Sequence, residues 1–225
     1  MAILEACVET VDEARAVEQG GASRIELCAN LAEQGTTPDE AAIAACVAAV
    51  RIPVFVMVRP RAGNFVYANE ELSVMRGQVF RARSLGASGI ATGGLRPDRT
   101  IDTKAVAALL DAAGPLPLTF HRAFDLTPDR DEALERLIAL GVTRVLTAGG
   151  AATADAGAGA IAALVRRAGS RIGVVAAGTI RAHNVTDILS KTGATEVHAH
   201  VTTGAEVRAL VAKLDLHSPS PPALK

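Results

Sequence analysis

Two short segments of the sequence carry the same pair of reactive residues. Glu5 and Cys7 lie in ILEACV, and Glu26 and Cys28 lie in RIELC. One residue separates the members of each pair, so in an extended strand both side chains point to the same face. Two thiols at equivalent heights on adjacent strands could share a ligand, and the carboxyl groups could orient a proton-transferring base. A cysteine in a strand is also often a small buried hydrophobic residue, and that alternative stands for each thiol.

A second group of candidate residues follows two other apolar runs. The segment TFHRAFD contains His121, Arg122 and Asp125. Histidine transfers protons near neutral pH, so His121 is a candidate acid or base, although a lone histidine is often only a core residue. The segment RPRAGNFVY adds Arg59 and Arg61, which could clamp an anion. The alternative for this second segment is a solvated loop.

A recurring glycine pattern indicates the elements that must position these residues. Helical segments end in glycine, and a β-branched run begins two to four residues later, with later repeats roughly 25 to 30 residues apart. Glycine suits the left-handed conformation that closes a helix before the chain enters the next strand. The pattern occurs at Gly21, Gly86, Gly114, Gly141, Gly169 and Gly193.

The glycine pattern, together with the runs ILEACV and PVFVMV, predicts about eight strands, each followed by a helix. Repeated strand and helix units produce a parallel sheet. A doubly wound open sheet is the alternative, but units of even length without a large insertion favour a closed (β/α)8 barrel. We expect one barrel domain over residues 1–216 and a loose, Pro-rich tail over residues 217–225.

Two helix starts carry capping signals that agree with this order of elements. Thr10 with Glu13 fits a capping box after the first strand. Thr37 with Glu40, and Pro38 at the first helical position, fits a second one after the second strand.

Side chains alternate along each predicted strand, so one set should face the helices while the other fills the barrel interior. The β-branched and apolar set should pack on the helices, which leaves polar groups and thiols inside. A buried glutamate paired with Arg59 could simply hold the strand ends together. The predicted interior set includes Glu5, Cys7, Glu26, Cys28, Met57, Arg59, Thr119, His121, Glu196 and His198.

Glycine-containing loops after two later strands suggest an anion site at the same end of the barrel. Gly149 lies in TAGG after the sixth strand, and Gly178 lies in AGT after the seventh. Such loops place backbone N–H groups and a helix N-terminus towards a phosphate, although they also serve plain turn geometry. With Arg59, Arg61 and His198, these loops complete the candidate anion-binding set, which also includes Arg122 and Asp125.

Composition narrows the classes of protein further. The chain has 225 residues, of which 49% are hydrophobic and 3% aromatic, so Ala, Val, Leu and Ile must fill its core. A net charge of −1 offers no basic field for nucleic acid or an anionic membrane, and we expect neither partner. The N-terminus lacks the pattern of a signal peptide, and three cysteines do not form a disulfide framework. We therefore expect a cytoplasmic protein.

Four segments carry a resemblance to a known family. LEACVETVDEARAVEQGGASRIELC, VFVMVRPRAGNFVY, LTFHRAFDLTPD and RVLTAGG resemble, in order and spacing, signatures of the CutC family, described as copper homeostasis proteins. The resemblance runs from about Leu4 to His198 and implies a (β/α)8 barrel that self-associates as a dimer or tetramer. It also implies a Cu(I) site at Cys7 and Cys28, which suits the preference of Cu(I) for soft thiolate ligands.

Two functions follow from these residues. In the first, Cys7 and Cys28 bind Cu(I) for buffering or trafficking, with Met57 or His121 as an auxiliary ligand. In the second, the protein is an enzyme acting on a small anionic, including phosphorylated, substrate: Arg59 and Arg61 hold the anion, His121 transfers a proton, and Glu5 or Glu26 orients it. A third interpretation, ranked last, is that the polar interior only stabilises the barrel.

Overall fold

Eight strands and eight α-helices alternate along residues 2–217, the part of the chain that this computed structural model describes. The strands are β1 Ile3–Val8, β2 Arg24–Leu27, β3 Val54–Met57, β4 Gly89–Thr92, β5 Leu118–Phe120, β6 Arg144–Thr147, β7 Gly173–Ala176 and β8 Glu196–His200. The helices are α1 Val11–Gln19, α2 Glu40–Ala49, α3 Asn69–Ser84, α4 Thr103–Ala113, α5 Arg130–Leu140, α6 Ala158–Ala168, α7 Val185–Thr192 and α8 Gly204–His217. Short 3₁₀ helices, Leu31–Glu33 and Arg122–Leu126, follow β2 and β5.

The sheet closes on itself. Every strand pairs in parallel with its neighbours in sequence, and β8 pairs in parallel with β1. The predicted (β/α)8 barrel is therefore confirmed, and the open-sheet alternative is wrong. His217, the first residue of the predicted tail, is the last residue of α8. The rest of the tail, residues 218–225, lies outside the described residues. Across residues 2–217 no helix has the length and apolar character needed to cross a membrane.

The predicted alternation of side chains is also confirmed. Leu4, Ala6 and Val8 of β1 pack into the main core with the helices, as do Ile25 and Leu27 of β2. The opposite face fills the interior, where Cys7, Cys28, Met57 and Ala91 form a separate apolar cluster. Because the alternation is a property of each strand alone, it could be deduced from sequence.

Helix ends agree with the sequence in one case and differ in another. The Thr10 hydroxyl accepts from the Glu13 N–H, and the Glu13 carboxylate accepts from the Thr10 N–H, so the predicted capping box is present. The box predicted at Thr37 is wrong, because Asp39 caps α2 by accepting from the Ala42 N–H. The Thr37 hydroxyl instead accepts from the Arg59 N–H and joins the loop after β3 to that after β2.

A buried ion network crosses the interior close to the start of the strands. The Arg24 guanidinium donates to the carboxylates of Glu5 on β1 and Glu196 on β8, and it lies over the Phe55 ring. The expected pairing of a buried glutamate with Arg59 is wrong, because Arg24, on the strand next to Glu5, lies nearer to that carboxylate. The same alternation that places Glu26 inside would have placed Arg24 there as well.

Candidate functional site

A cavity of about 440 Å³ opens among the carboxyl ends of the strands. Its wall contains nine of the residues proposed from sequence, namely Cys7, Glu26, Cys28, Met57, Arg59, His121, Arg122, Asp125 and His198. Four others lie outside the wall, namely Glu5, Arg61, Gly149 and Gly178. Residues that sequence analysis did not select, Leu31, Phe65 and Leu146, supply much of the apolar surface. They are apolar residues of types that are common in any core, so nothing in the local sequence identifies them as part of a site.

The two thiols of the repeated motif meet in this cavity. Cys7 Sγ lies 3.6 Å from Cys28 Sγ, and both cysteines are free and buried. A hydrogen bond from Cys28, aided by His198, lowers the pKa of Cys7 to about 5 although burial opposes this change. Donation to Cys7 and burial raise the pKa of Cys28 well above its usual range. The contact therefore separates the two pKa values and favours the thiolate at Cys7 and the thiol at Cys28.

His198 reaches the thiol pair from β8, with its ring held by Glu5. Its Nδ1 lies 2.8 Å from Glu5 Oε1, and its Nε2 lies 3.8 Å from Glu26 Oε2. Burial disfavours a charged ring, but the carboxylates of Glu26 and Glu5 and the Cys7 thiolate raise the pKa of His198 well above its usual value. Burial would likewise raise the pKa of Glu5, yet His198 and Arg24 lower it to about 2.

Glu26 lies between the thiols and His198. Its Oε2 is 3.5 Å from Cys28 Sγ, while its buried Oε1 has no hydrogen-bond partner among the described residues. Burial raises the pKa of Glu26 to about 8 despite the opposing charge of His198. Among residues 2–217, the potential ligand atoms of Cys7, Glu26 and His198 form a group in which every pair lies within 4.8 Å.

This donor set fits a soft metal ion. Cys28 lies outside the group of Cys7, Glu26 and His198, but its sulfur contacts that of Cys7. Two sulfur atoms and one imidazole nitrogen are ligands that Cu(I) prefers, whereas a hard cation would require mostly oxygen. The Glu5 carboxylate holds His198 through Nδ1, which leaves Nε2 to face the thiols and the Glu26 carboxyl. A carboxylate behind a ligating histidine is the usual outer support of such a ligand.

The two arginines of the loop after β3 have different surroundings. Arg59 is buried, and its terminal nitrogens donate to the carbonyls of Glu33, Gly35 and Gly63. Its Nε has no hydrogen-bond partner in the described part of the chain. Arg61 instead pairs with Glu71 and caps nearby carbonyls away from the cavity. The expectation that both arginines clamp one anion therefore needs correction, because only Arg59 is placed to do so.

His121 follows β5 and lines the cavity, where its ring centroid lies 4.9 Å from that of Phe65, another lining residue. Its Nδ1 accepts from the Ala123 N–H, and its buried Nε2 has no partner among the described residues. Burial and the charge of Arg59 lower the pKa of His121 to about 3. The ring is therefore neutral near pH 7, with its hydrogen on Nε2.

The glycine loop after β6 differs from the anion site expected there. The Asp125 carboxylate accepts from the Thr147 hydroxyl and from the N–H groups of Ala148 and Gly150. The Gly149 N–H donates to the Thr147 hydroxyl. These donors are satisfied within the chain, so this loop holds the protein's own carboxylate in place of an external phosphate. Arg122 in turn pairs with Asp125 at 2.9 Å.

The loop after β7, unlike that after β6, contributes no described residue to the cavity wall. Gly178, at φ 103°, packs against Ala148 and accepts from the Ala154 N–H through its carbonyl. A Cβ at this glycine would lie 3.0 Å from the Ala148 Cβ. This close packing between the loops after β6 and β7 explains the glycine without an anion.

Comparison with known proteins agrees with this architecture. The sequence profile of the CutC family matches residues 2–203. A copper homeostasis protein cutC homolog from Homo sapiens is 44% identical over 196 residues, which cover 87% of this chain and 72% of that protein. The crystal structure of a copper homeostasis protein CutC from Streptococcus agalactiae superposes with a TM-score of 0.86 at 37% identity, covering 90% of this chain and 100% of that one.

A more distant likeness concerns the fold alone. The N-(5'-phosphoribosyl)anthranilate isomerase from Pyrococcus furiosus superposes with a TM-score of 0.62 at 14% identity, covering 96% of this chain and 100% of that one. Many unrelated activities use this barrel, so this match says nothing about chemistry. The profile match over nearly all described residues, together with relatives above two fifths identity, shows that the chain belongs to the CutC family.

Proposed function

We propose that this protein binds Cu(I) through Cys7 and Cys28 and serves copper homeostasis by buffering or trafficking the ion. The observation that carries the proposal is the contact of two free thiols, 3.6 Å apart, at the end of adjacent strands. This separation is too long for a disulfide, whose S–S bond is about 2.05 Å. It is short enough for one ion to touch both sulfurs, given metal–thiolate bonds of about 2.3 Å in zinc sites.

The surroundings of the thiols favour a third ligand from His198. Its Nε2 belongs to the ligand group around Cys7, and the Glu5 carboxylate at Nδ1 keeps the ring in a ligating orientation. Metal binding would replace the proton that His198 carries, so Cu(I) uptake should release protons. Of the two candidate auxiliary ligands, His121 lies outside the group of Cys7, Glu26 and His198. Met57 lines the cavity and packs with Cys7 and Cys28 in one apolar cluster.

A competition experiment tests the thiol pair. We expect Cys7→Ser and Cys28→Ser each to weaken Cu(I) binding by more than about 100-fold. Loss of a residue that only supports a metal ligand costs up to about that factor, and loss of the ligand itself should cost more. The measurement is anaerobic titration of metal-free protein against a chromogenic Cu(I) chelator. Cys46→Ser is the matched control, because Cys46 is a third buried thiol, on α2, away from the cavity.

The control should bind Cu(I) as the wild type does. Wild-type affinity in the Cys7→Ser, Cys28→Ser double variant, with native circular dichroism, would rule out the thiol site.

We also propose that the protein works in the cytoplasm, where free cysteines stay reduced. From its family we propose that it self-associates as a dimer or tetramer. Exposed apolar side chains of α3, Val74 and Phe80, are consistent with a contact between copies.

The alternative function is catalysis on a small anionic substrate, with His121, Glu26 and Glu5 as acid–base residues. The observations support the binding of an anion in the cavity more than proton transfer by these residues. Glu5 lies outside the cavity wall and already accepts from Arg24 and His198. The pKa of His121, lowered to about 3, suits a neutral hydrogen-bond donor better than a proton carrier near pH 7.

A further inference from the structure

Unpaired buried polar atoms are concentrated at the cavity. Among the described residues, five buried side-chain nitrogen or oxygen atoms have no hydrogen-bond partner, and three of them belong to the cavity wall. These three are Glu26 Oε1, Arg59 Nε and His121 Nε2. Native proteins leave few such atoms unpaired because desolvation without a partner is costly. Their concentration at one cavity indicates polar groups of a ligand.

Arg59 is a buried positive charge without a carboxylate partner in the described chain. Arg59 is 2% exposed, and its terminal nitrogens are fixed by three backbone carbonyls. Carbonyl dipoles hold the group in place but do not cancel its charge. The remaining Nε–H is therefore a fixed donor on a cation that lacks a counter-ion, and a buried charge of this kind is expected to pair with an anion.

His121 supplies a second donor in the same wall. Because Nδ1 accepts from the Ala123 N–H, the neutral ring carries its hydrogen on Nε2. Both donors lie beside Phe65, whose ring centroid is 4.9 Å from that of His121 and 5.0 Å from the Arg59 Cζ. Gly93 makes room for this arrangement, because a Cβ there would lie 2.7 Å from the His121 ring.

The number of donors selects the class of anion. One uncompensated cation and two N–H groups match a carboxylate, which is planar and carries one charge. A phosphate needs more donors, and the loop N–H groups of Ala148 and Gly150 that would supply them are taken by Asp125. The rest of the wall is partly apolar, with Leu31, Met57, Phe65 and Leu146, and would pack against an apolar body.

We propose that the cavity binds a small organic carboxylate, with its carboxylate on Arg59 Nε and His121 Nε2 and its body against Phe65 and Leu146. Glu26 Oε1 would accept from a hydroxyl or amino group of the natural ligand. The site uses no sulfur atom, so it goes beyond the proposed Cu(I) function and does not depend on it. The cavity would then hold two ligands of different chemistry in neighbouring positions.

Isothermal titration of metal-free protein with three probes tests this site. Benzoate supplies the carboxylate and an apolar ring, benzamide is its neutral analogue, and inorganic phosphate is the competing anion. We expect benzoate to bind at least about tenfold more tightly than either, since a charge-assisted hydrogen bond contributes this much or more. His121→Asn keeps an acceptor for the Ala123 N–H but lacks the Nε2–H, and should lose about tenfold in benzoate affinity.

Arg61→Gln is the matched control, because it removes a cation from the same loop but outside the wall, and it should leave benzoate affinity unchanged. The Cys7→Ser, Cys28→Ser double variant should also bind benzoate normally, which separates this site from the copper site. A crystal soaked with para-bromobenzoate needs no variant, and anomalous scattering should place bromine in the cavity with the carboxylate on Arg59. The proposal would be overturned if benzoate did not bind, if it bound no more tightly than benzamide, or if phosphate bound more tightly. It would also be overturned if the bromine lay outside the cavity.

Discussion

Cys7 and Cys46 show how surroundings decide what a residue can do. Both thiols are buried, but Cys46 is packed among apolar side chains of α2, where burial raises its pKa to about 11. Cys7 has Cys28 and His198 beside it, and its pKa is lowered to about 5. A thiolate is the form that binds metal and reacts, so chemistry is expected at Cys7 and not at Cys46.

The pKa of His121 in the folded protein, about 3, lies below the ordinary value of 6.5. The unfolded chain then binds the extra proton first, so protonation lowers the stability of the folded state as the pH falls from about 6.5 towards 3. From pH 7 to pH 5 this residue should cost the wild type about 2 kcal/mol of unfolding free energy, and His121→Asn should lack that loss.

Urea denaturation of both proteins at the two pH values measures this effect. The pKa of Glu26, raised to about 8, has the opposite influence, since the folded carboxyl keeps its proton when the unfolded one loses it. Only the difference between wild type and variant therefore isolates His121. Parallel changes in the two proteins would show that the folded imidazole takes up its proton in the ordinary range.

At the scale of elements, glycine ends several helices for more than one reason. Gly141 and Gly193 adopt the left-handed helical conformation, with ψ of 20° and 9°. Gly114 and Gly169 combine positive φ with ψ of −118° and −127°. This second region is essentially restricted to glycine, so these two helix ends depend on the residue more strictly.

A matched pair of substitutions in α6 and its end tests this point. A Cβ at Gly169 would meet no atom within 4 Å, so Gly169→Ala should act through backbone strain alone and cost about 1–3 kcal/mol. Gly159 lies inside α6 and also has open space, so Gly159→Ala should stabilise the protein by about 0.5–1 kcal/mol. Urea denaturation should give opposite signs, and a shared sign would contradict the proposed cause.

At the scale of the whole molecule, Arg24 ties together the strands that close the barrel. It lies on β2 and pairs with Glu5 on β1 and Glu196 on β8, all largely buried. Glu5 in turn holds His198, so this network links the closure of the sheet to the orientation of the candidate metal ligand. Stability and function thus share one set of contacts.

Arg24→Met should therefore destabilise the barrel by about 3–5 kcal/mol, because it leaves Glu5 and Glu196 buried with too little positive charge. Urea denaturation measures the loss. Arg171→Met is the control, since Arg171 pairs with Glu135 in an exposed position, and it should change the unfolding free energy little. Similar effects of the two substitutions would show that burial of the Arg24 network has no special cost.

From the residues alone one could predict eight strand–helix units, prefer a barrel to an open sheet, and predict the face of each strand that fills the interior. The units and the faces follow from local rules: glycine where a helix must end with positive φ, and side chains that alternate along an extended chain. These rules placed Cys7, Cys28, His121 and His198 inside, and the structure brings all four to one cavity. The segments that resemble CutC signatures contain Cys7, Cys28 and His121, and the resemblance extends to His198.

The partner of each polar group could be identified only from the folded barrel. Glu5 pairs with Arg24 and His198, 193 positions away, and not with Arg59. Asp125 fills the glycine loop that was expected to bind phosphate. Such choices depend on the register between strands and on the reach of individual side chains, and a repeating pattern along one strand contains neither. The physical reason is that hydrogen bonds act over about 3 Å, a distance that exists only after the strands are packed.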